Sequence, residues 1–225
     1  MGPAPRLTQR GPPKRPVILF HSDPSRSARV VEQLLDGFAG TLVTDGYEAY
    51  RTVTKVRHDI QHCGCFAHAR RAFHDAITAQ GKSAPTGKAE QGMAFIQKLY
   101  AIERSVRDAP PDTRRQVRQE QARPVLTRMR AWLEASLPKV PPSSRIGKAI
   151  GYALGQWDRL TGYLSDGAIP IDNNACEQDI RPFVIGRKAW LFADTPNGAE
   201  ASATLYSLVE TARANGLEPY RYLRL

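Results

Sequence analysis

A chain of 225 residues with 41% apolar and 24% charged residues is long enough to bury a core and too balanced for wholesale disorder or a fibrous repeat. Thirty-two Lys and Arg against 22 Asp and Glu leave a net charge of +10, which points to a polyanionic partner such as nucleic acid. Apolar runs as short as Val17 to Phe20 exclude a spanning helix, and three cysteines (Cys63, Cys65, Cys176) without framework spacing suit a reducing, cytoplasmic compartment.

Residues 1 to 15 hold four prolines and four basic residues without apolar periodicity and are expected to be a disordered leader. Val17-Ile18-Leu19-Phe20 is β-prone and reads as a strand. After Asp23-Pro24-Ser25, the spacing of Val30, Val31, Leu34, Leu35 and Phe38 predicts a helix ended by Gly37 and Gly40. Thr41 to Thr44 reads as a second strand that delivers Asp45 just before Gly46, and the two strands with their helix imply a parallel crossover. A third strand is expected near Asp59 to Cys63, then a helix over Ala67 to Gln80 with Ala69, Phe73, Ala76 and Ile77 on one face. The first core segment is therefore α/β over 16–80.

Residues 81–165 change character: long Arg-rich helical stretches broken at Pro110-Pro111 and Pro138 to Pro142, read as a helical insertion. This segment carries 15 Lys and Arg against 7 Asp and Glu, whereas 166–225 carries 6 against 8, so the basic excess sits in the insertion. The second core segment, 166–215, opens on Asp172-Asn173-Asn174 as caps for a two-turn helix through Glu177 that should end before Pro182. An apolar, basic connection over Phe183 to Lys188 and Trp190 to Phe192 then leads to a last helix. Ala201, Leu205, Leu208, Val209 and Ala212 mark its face, Gly216 its stop, and 216–225 a tail.

A carboxylate at the C-terminal end of a sheet strand is where open α/β sheets place ligand and metal sites, and Asp45 fits that position. Glu177 and Arg181 would add an anionic metal ligand and a phosphate-binding cation on one helix, and two hard oxygen ligands suit Mg²⁺. The residues alone leave the alternative open that Asp45 is only a turn residue and Glu177 a solvated one.

The run Ile171-Asp172-Asn173-Asn174-Ala175-Cys176-Glu177-Gln178-Asp179-Ile180-Arg181-Pro182, continuing through Gly186-Arg187-Lys188-Ala189-Trp190-Leu191-Phe192, resembles the C-terminal signature of the insertion-sequence-66 transposase family. Asp45-Gly46-Tyr47-Glu48-Ala49-Tyr50, Cys65 to Phe73 and Leu205 to Thr211 resemble its other motifs in order, so that the likeness spans roughly Pro16 to Leu225. The resemblance implies a ribonuclease-H-like fold whose Asp, Asp, Glu triad binds two Mg²⁺ ions and cuts and joins DNA strands. Asp45 matches the second Asp and Glu177 the Glu. The family's first Asp lies on a strand upstream of the one that Val17 to Phe20 resembles, and nothing before Val17 carries an Asp or Glu. Asp23 follows that strand at the wrong end of the sheet.

The expectation is thus an incomplete ribonuclease-H-like fold, missing its first strands and carrying a large helical insertion: a truncated, catalytically deficient transposase with an incomplete two-Mg²⁺ site. Its Val17 to Phe20 strand should have an unpaired edge that invites pairing or aggregation. The alternative is a non-enzymatic DNA-binding fragment or regulator of a full-length transposase, which it would pair with, or a homo-oligomer; missing strands supplied in trans form a third reading. Candidate DNA contacts are His68, Arg70 and Arg71 beside Asp45, Arg114, Arg115 and Arg118 in the insertion, and Arg181, Arg187 and Lys188 after Glu177. His58, His62, His68, His74, Cys63 and Cys65 cluster without forming a closed four-ligand zinc spacing. Trp132, Trp157 and Trp190 read as packing residues.

Overall fold

The computed structural model describes residues 6–8, 15–80, 87–190 and 195–224, with side chains described for all but 6–8 and 187–190. Two compact units divide the chain: Met1–Leu42, Tyr47–Gln61 and Asn173–Leu225 form the first, and Val43–Gly46 and His62–Asp172 the second. The described residues are mostly helical, with one small sheet among them of strand order β1-β2-β3: β1 (Arg6–Thr8), β2 (Gly40–Val43) and β3 (Ile60–Cys63). Strands β2 and β3 run parallel, as the bonds from the Gly40 amide to the Asp59 carbonyl (2.9 Å) and from Thr44 to Cys63 (3.1 Å) require. Among the described residues no helix is long and apolar enough to cross a membrane.

In the first unit, α1 (Ala28–Leu34) buries Val31 and is followed by buried Leu35. Helix α2 (Glu48–Thr54) buries Ala49, Tyr50 and Val53, and the two helices pack together over Leu42 and Ile60. The crossover between parallel strands is therefore β2-α2-β3, and the expected crossover from Val17–Phe20 does not form. Arg57 locks this layer: it grips both Asp59 carboxylate oxygens (2.8 and 2.6 Å) and donates to the Leu35 and Phe38 carbonyls just past the end of α1. The Leu35 carbonyl also accepts from the Phe38 amide (3.0 Å), and the guanidinium adds donors to the carbonyls that follow the helix end.

Val17–Phe20 is extended but is not a strand of the sheet. Its partner is α10 (Pro196–Ala214): the Ile18 amide donates to Thr211 Oγ1 (2.9 Å), the same hydroxyl donates to the Ile18 carbonyl (3.1 Å), and the Phe20 amide donates to Ser207 Oγ (2.8 Å). Asn215 Nδ2 donates to the Pro16 carbonyl (2.8 Å). Strand-like alternation persists, with Ile18 buried and Val17 and Leu19 exposed, because one face of the segment lies on the helix. This also corrects the face of α10. Its buried residues are Ala203, Ser207, Glu210 and Ala212, while Leu205 and Leu208 are exposed, since small and hydroxyl-bearing residues let an extended backbone approach and satisfy it. Gly216, in the left-handed region at φ +70°, does stop the helix: its amide reaches the Arg213 carbonyl and that of Leu217 the Ala212 carbonyl. A short α11 (Pro219–Leu223) follows.

Helix α9 (Asn174–Trp190) overturns the expected two-turn helix, because it continues through Pro182 and absorbs the predicted connection over Phe183 to Lys188. The proline ring removes one amide donor, and exposure of Gln178 four residues earlier opens the freed carbonyl to water. Phe183 is buried, its ring stacked 5.8 Å from Phe20 and edge-on 5.1 Å from Tyr206. The segment expected to be a leader contains β1, so the first strand of the sheet precedes Val17.

The second unit is built on α3 (Phe66–Gln80), α4 (Lys88–Ser105), α5 (Pro111–Val117), α6 (Arg123–Ser136), α7 (Arg145–Gly155) and α8 (Trp157–Thr161). Helix α3 packs on α4 and α7, α4 on α6, and α6 on α7, closing a four-helix ring. Phe66, Phe73, Ile96, Leu99, Met129, Leu133, Ile150 and Leu160 fill it, each at most 1% exposed. Trp132 packs beside Phe73 and Phe95 and donates from Nε1 to Gln91 (3.0 Å), and Trp157 is 7% exposed; the Trp190 side chain lies outside the described residues. Breaks fall at the prolines: Pro111 starts α5, and the Pro138 to Pro142 stretch separates α6 from α7.

Between α5 and α6, residues Arg118–Ala122 form a π-helical turn that points Arg118 inward. Arg118 is fully buried: Nε and Nη2 grip the Glu103 carboxylate (2.9 and 2.7 Å), and Nη1 donates to the Tyr163 and Asp166 carbonyls (2.8 Å each). The guanidinium also lies 4.9 Å from the Tyr163 ring centroid. Arg118 is a core residue and drops out of the expected DNA-facing surface.

Candidate functional site

Asp45 stands two residues past the end of β2, half-buried, where the parallel pair β2-β3 opens. The preceding Thr44 is 2% exposed, and its hydroxyl donates to the Asp45 carbonyl and sits 2.8 Å from His62 Nε2. That geometry fixes the backbone from which the carboxylate projects. His62 is pushed down to about 4, first by burial and then by the positive charge of Arg159. Its imidazole is therefore neutral near pH 7 and adds no charge beside Asp45.

Gly46 follows Asp45 because Tyr152 of α7 leaves no room for a side chain: a Cβ there would lie 2.8 Å from Tyr152 Cε2 and 2.9 Å from its hydroxyl. Burial pushes the Tyr152 phenol up to about 12, helped by the neighbouring Cys65 and Asp45 and opposed by Arg159. Tyr152 thus belongs to the surroundings of Asp45, and the charge of Arg159 acts on Tyr152 and His62 beside it. No motif marks either Tyr152 or Arg159, since they come from the helical segment far downstream and only the fold brings them to the strand ends. The Arg159 backbone carbonyl accepts from the Gly64 amide (2.9 Å), which ties α8 to the end of β3.

Around the same strand ends, Cys63 and Cys65 are fully buried, and burial raises the Cys63 thiol to about 12. A Cβ at Gly162 would lie 2.7 Å from the Cys63 sulfur, which places this thiol in packing. Helix α3 carries the half-buried His68 and the exposed Arg70 and Arg71 in its first two turns. The Arg70 guanidinium lies 5.9 Å from the Tyr100 ring centroid, and Tyr100 donates to Asp172 Oδ2 (2.7 Å). In the insertion Arg115 is exposed and Arg114 half-buried.

Glu177 belongs to the first unit and Asp45 to the second. Glu177 lies in the first turn of α9, where the partial positive charge of the helix start favours a carboxylate, and its amide donates to the Asn173 carbonyl (3.2 Å). With Asn174, Gln178, Ile180, Arg181 and Val184 it lines a shallow depression along the helix. Glu177 and Arg181 are therefore on one exposed side, while Phe183 turns inward. The Arg187 and Lys188 side chains lie outside the described residues.

The fit to a metal can be judged on the donors. Carboxylate oxygens are right for Mg²⁺, but among the described residues no group of three or more His, Cys, Asp or Glu is gathered to hold an ion.

The sequence model of the family described as "Transposase IS66 family" matches residues 6–201, beginning inside the segment expected to be a leader. The uncharacterized protein y4jD of Sinorhizobium fredii is 33% identical over 216 residues, covering 94% of this chain and 42% of its own length. The uncharacterized proteins y4qI and y4hP of the same organism are 34% and 28% identical, each over 92% of this chain, and 39% and 40% of their lengths are covered. The chain thus spans about two fifths of the length of these relatives. No solved structure matches it.

Proposed function

Because the chain belongs to the IS66 family of transposases, we propose that it serves DNA transposition as part of a catalytic region of the Asp-Asp-Glu type. The observation that carries this reading is Asp45-Gly46 at the open end of the parallel β2-α2-β3 unit, the position at which such sheets hold their ligands. In this proposal Asp45 and Glu177 are two of the three carboxylates, β2-α2-β3 is the part of a ribonuclease-H-like frame that these residues supply, and Mg²⁺ is the ion the full set would hold. Thr44 and Tyr152 position Asp45, Arg181 grips phosphate beside Glu177, and His68, Arg70, Arg71, Arg114, Arg115, Arg187 and Lys188 contact the DNA backbone. With Asp45 and Glu177 as two of three carboxylates, the proposal is that the 225 residues by themselves bind DNA and do not transfer strands.

A second reading, a non-enzymatic DNA-binding regulator that pairs with a longer transposase or with itself, is favoured by the basic second unit. Both readings are tested on the purified chain with labelled duplex DNA and Mg²⁺. The expected outcome is salt-dependent duplex binding that weakens at least tenfold when Arg115, Arg123 and Arg128 are all changed to Glu, and no strand transfer. Robust Mg²⁺-dependent transfer overturns the deficiency, and if Asp45→Asn then abolishes it, the regulator reading falls as well. Failure to bind DNA overturns both readings.

A further inference from the structure

A cleft of about 520 Å³ opens in the second unit between α6, α8 and the π-helical turn, apart from Asp45. Leu126, Trp157 and Leu164, each no more than 8% exposed, give it an apolar floor, and Arg123 and Arg130 stand at its rim. Both arginines are held in place. Arg123 donates from Nε to Gln119 Oε1 (2.7 Å), and Gln119 in turn donates from Nε2 to the Leu164 carbonyl (2.7 Å). Arg130 donates from Nε to Glu134 (2.9 Å), and its guanidinium carbon lies 6.0 Å from the Trp157 ring centroid. With Nε engaged, the Nη edge is the part of each fork that can grip a phosphate.

We infer that this cleft is a subsite for a single unpaired DNA nucleotide: its base stacks on the Arg130 guanidinium, itself backed by Trp157, and its phosphate is gripped by Arg123 and Arg130. The size is that of a small-ligand pocket, too small for a duplex to enter. An apolar floor beneath a rim of two arginines, with the Glu134 carboxylate engaged by Arg130 Nε, complements a nucleotide, which presents a flat ring at one end and an anion at the other. Stacking on a guanidinium plane is available only to a base that has left its helix. The π-helical turn makes the arrangement: it turns Arg118 into the core and leaves Gln119 and Arg123, on either side of buried Ala122, at the cleft.

The inference rests on DNA as the partner, and the test separates the two. Fluorescence anisotropy in EDTA compares a blunt duplex with the same duplex bearing a three-nucleotide single-stranded overhang. The wild-type chain is expected to favour the overhang roughly tenfold. Arg130→Ala and Arg130→Lys should each remove most of that preference while blunt-duplex affinity stays within about twofold. Both substitutions fall on a half-exposed side chain, so folding is retained. Equal wild-type affinity for the two DNAs overturns the cleft and leaves the DNA partner standing. A full preference retained by Arg130→Lys overturns the stacking role, and equal losses on both DNAs reduce the cleft to an ordinary phosphate contact. No binding to either DNA overturns the partner as well.

Discussion

The two units bury their chain by different means. The second closes a ring of helices over large apolar side chains and a buried ion pair, Arg118 with Glu103. The first has a small apolar cluster around Leu35 and Leu42, and elsewhere attaches an extended segment to a helix through hydroxyls and an amide, Ser207, Thr211 and Asn215. It leaves Val17, Leu19, Val184, Ile185 and Leu205 exposed. Stability in the second unit should therefore fail through lost packing or an orphaned charge, and in the first through lost backbone hydrogen bonds. The same contrast sorts the arginines, since the apolar interior of the second unit makes Arg118 structural while Arg115, Arg123 and Arg128 stay in water.

The sharpest way to break this contrast is Arg118→Ala. It orphans a largely buried Glu103 carboxylate and two carbonyls, and should cost about 3–5 kcal/mol in urea unfolding, against about 0.5 kcal/mol or less for the exposed Arg115→Ala. Equal effects would mean that Arg118 is not an anchor.

A smaller effect is expected from His62. Its pKa is lowered in the folded state to about 4. Above about pH 6.5 the ring is neutral folded or unfolded and costs nothing. As pH falls from there toward 4, the unfolded chain takes up a proton that the folded protein refuses, so stability drops, by about 3 kcal/mol at most. His62→Gln should flatten that part of the stability-pH curve measured by thermal unfolding, and an unchanged slope would refute the buried neutral imidazole.

The smallest effect sharpens the first unit. Ser207→Ala or Thr211→Val removes a hydroxyl partner of the extended segment and should cost about 1 kcal/mol each. Hydrogen exchange at the Phe20 amide for the first, and at the Ile18 amide for the second, should accelerate while exchange in α3 is unchanged. If α3 also loosened, the two units would not fail separately.

Much of the fold was legible because period and punctuation act locally. The β-branched run before Asp45 is a strand, the Ala69, Phe73, Ala76 face lies inward on α3, the proline breaks fall where expected, and Gly216 stops α10. The failures share a cause. Val17–Phe20 is extended as its composition says, but extended backbone accepts any partner that satisfies its amides, and here that partner is a helix. Pro182 reads as a stop because the cost of a proline inside a helix is local, while the packing of Phe183 against Phe20 and Tyr206, which favours continuation, is tertiary. At the site, Asp45 and Glu177 were visible from their motifs, whereas Tyr152 and Arg159 carry no motif.

Residue type and near spacing are enough for the family motifs, the strand that presents Asp45, the helical reading of the Arg-rich insertion and the sign of the charge. Long-range packing sets which arginine is buried, which face of α10 is covered, and which residues surround Asp45. Those outcomes depend on what each side chain meets across the fold, where burial, a facing carboxylate or an unpaired carbonyl outweighs the preference of the residue alone.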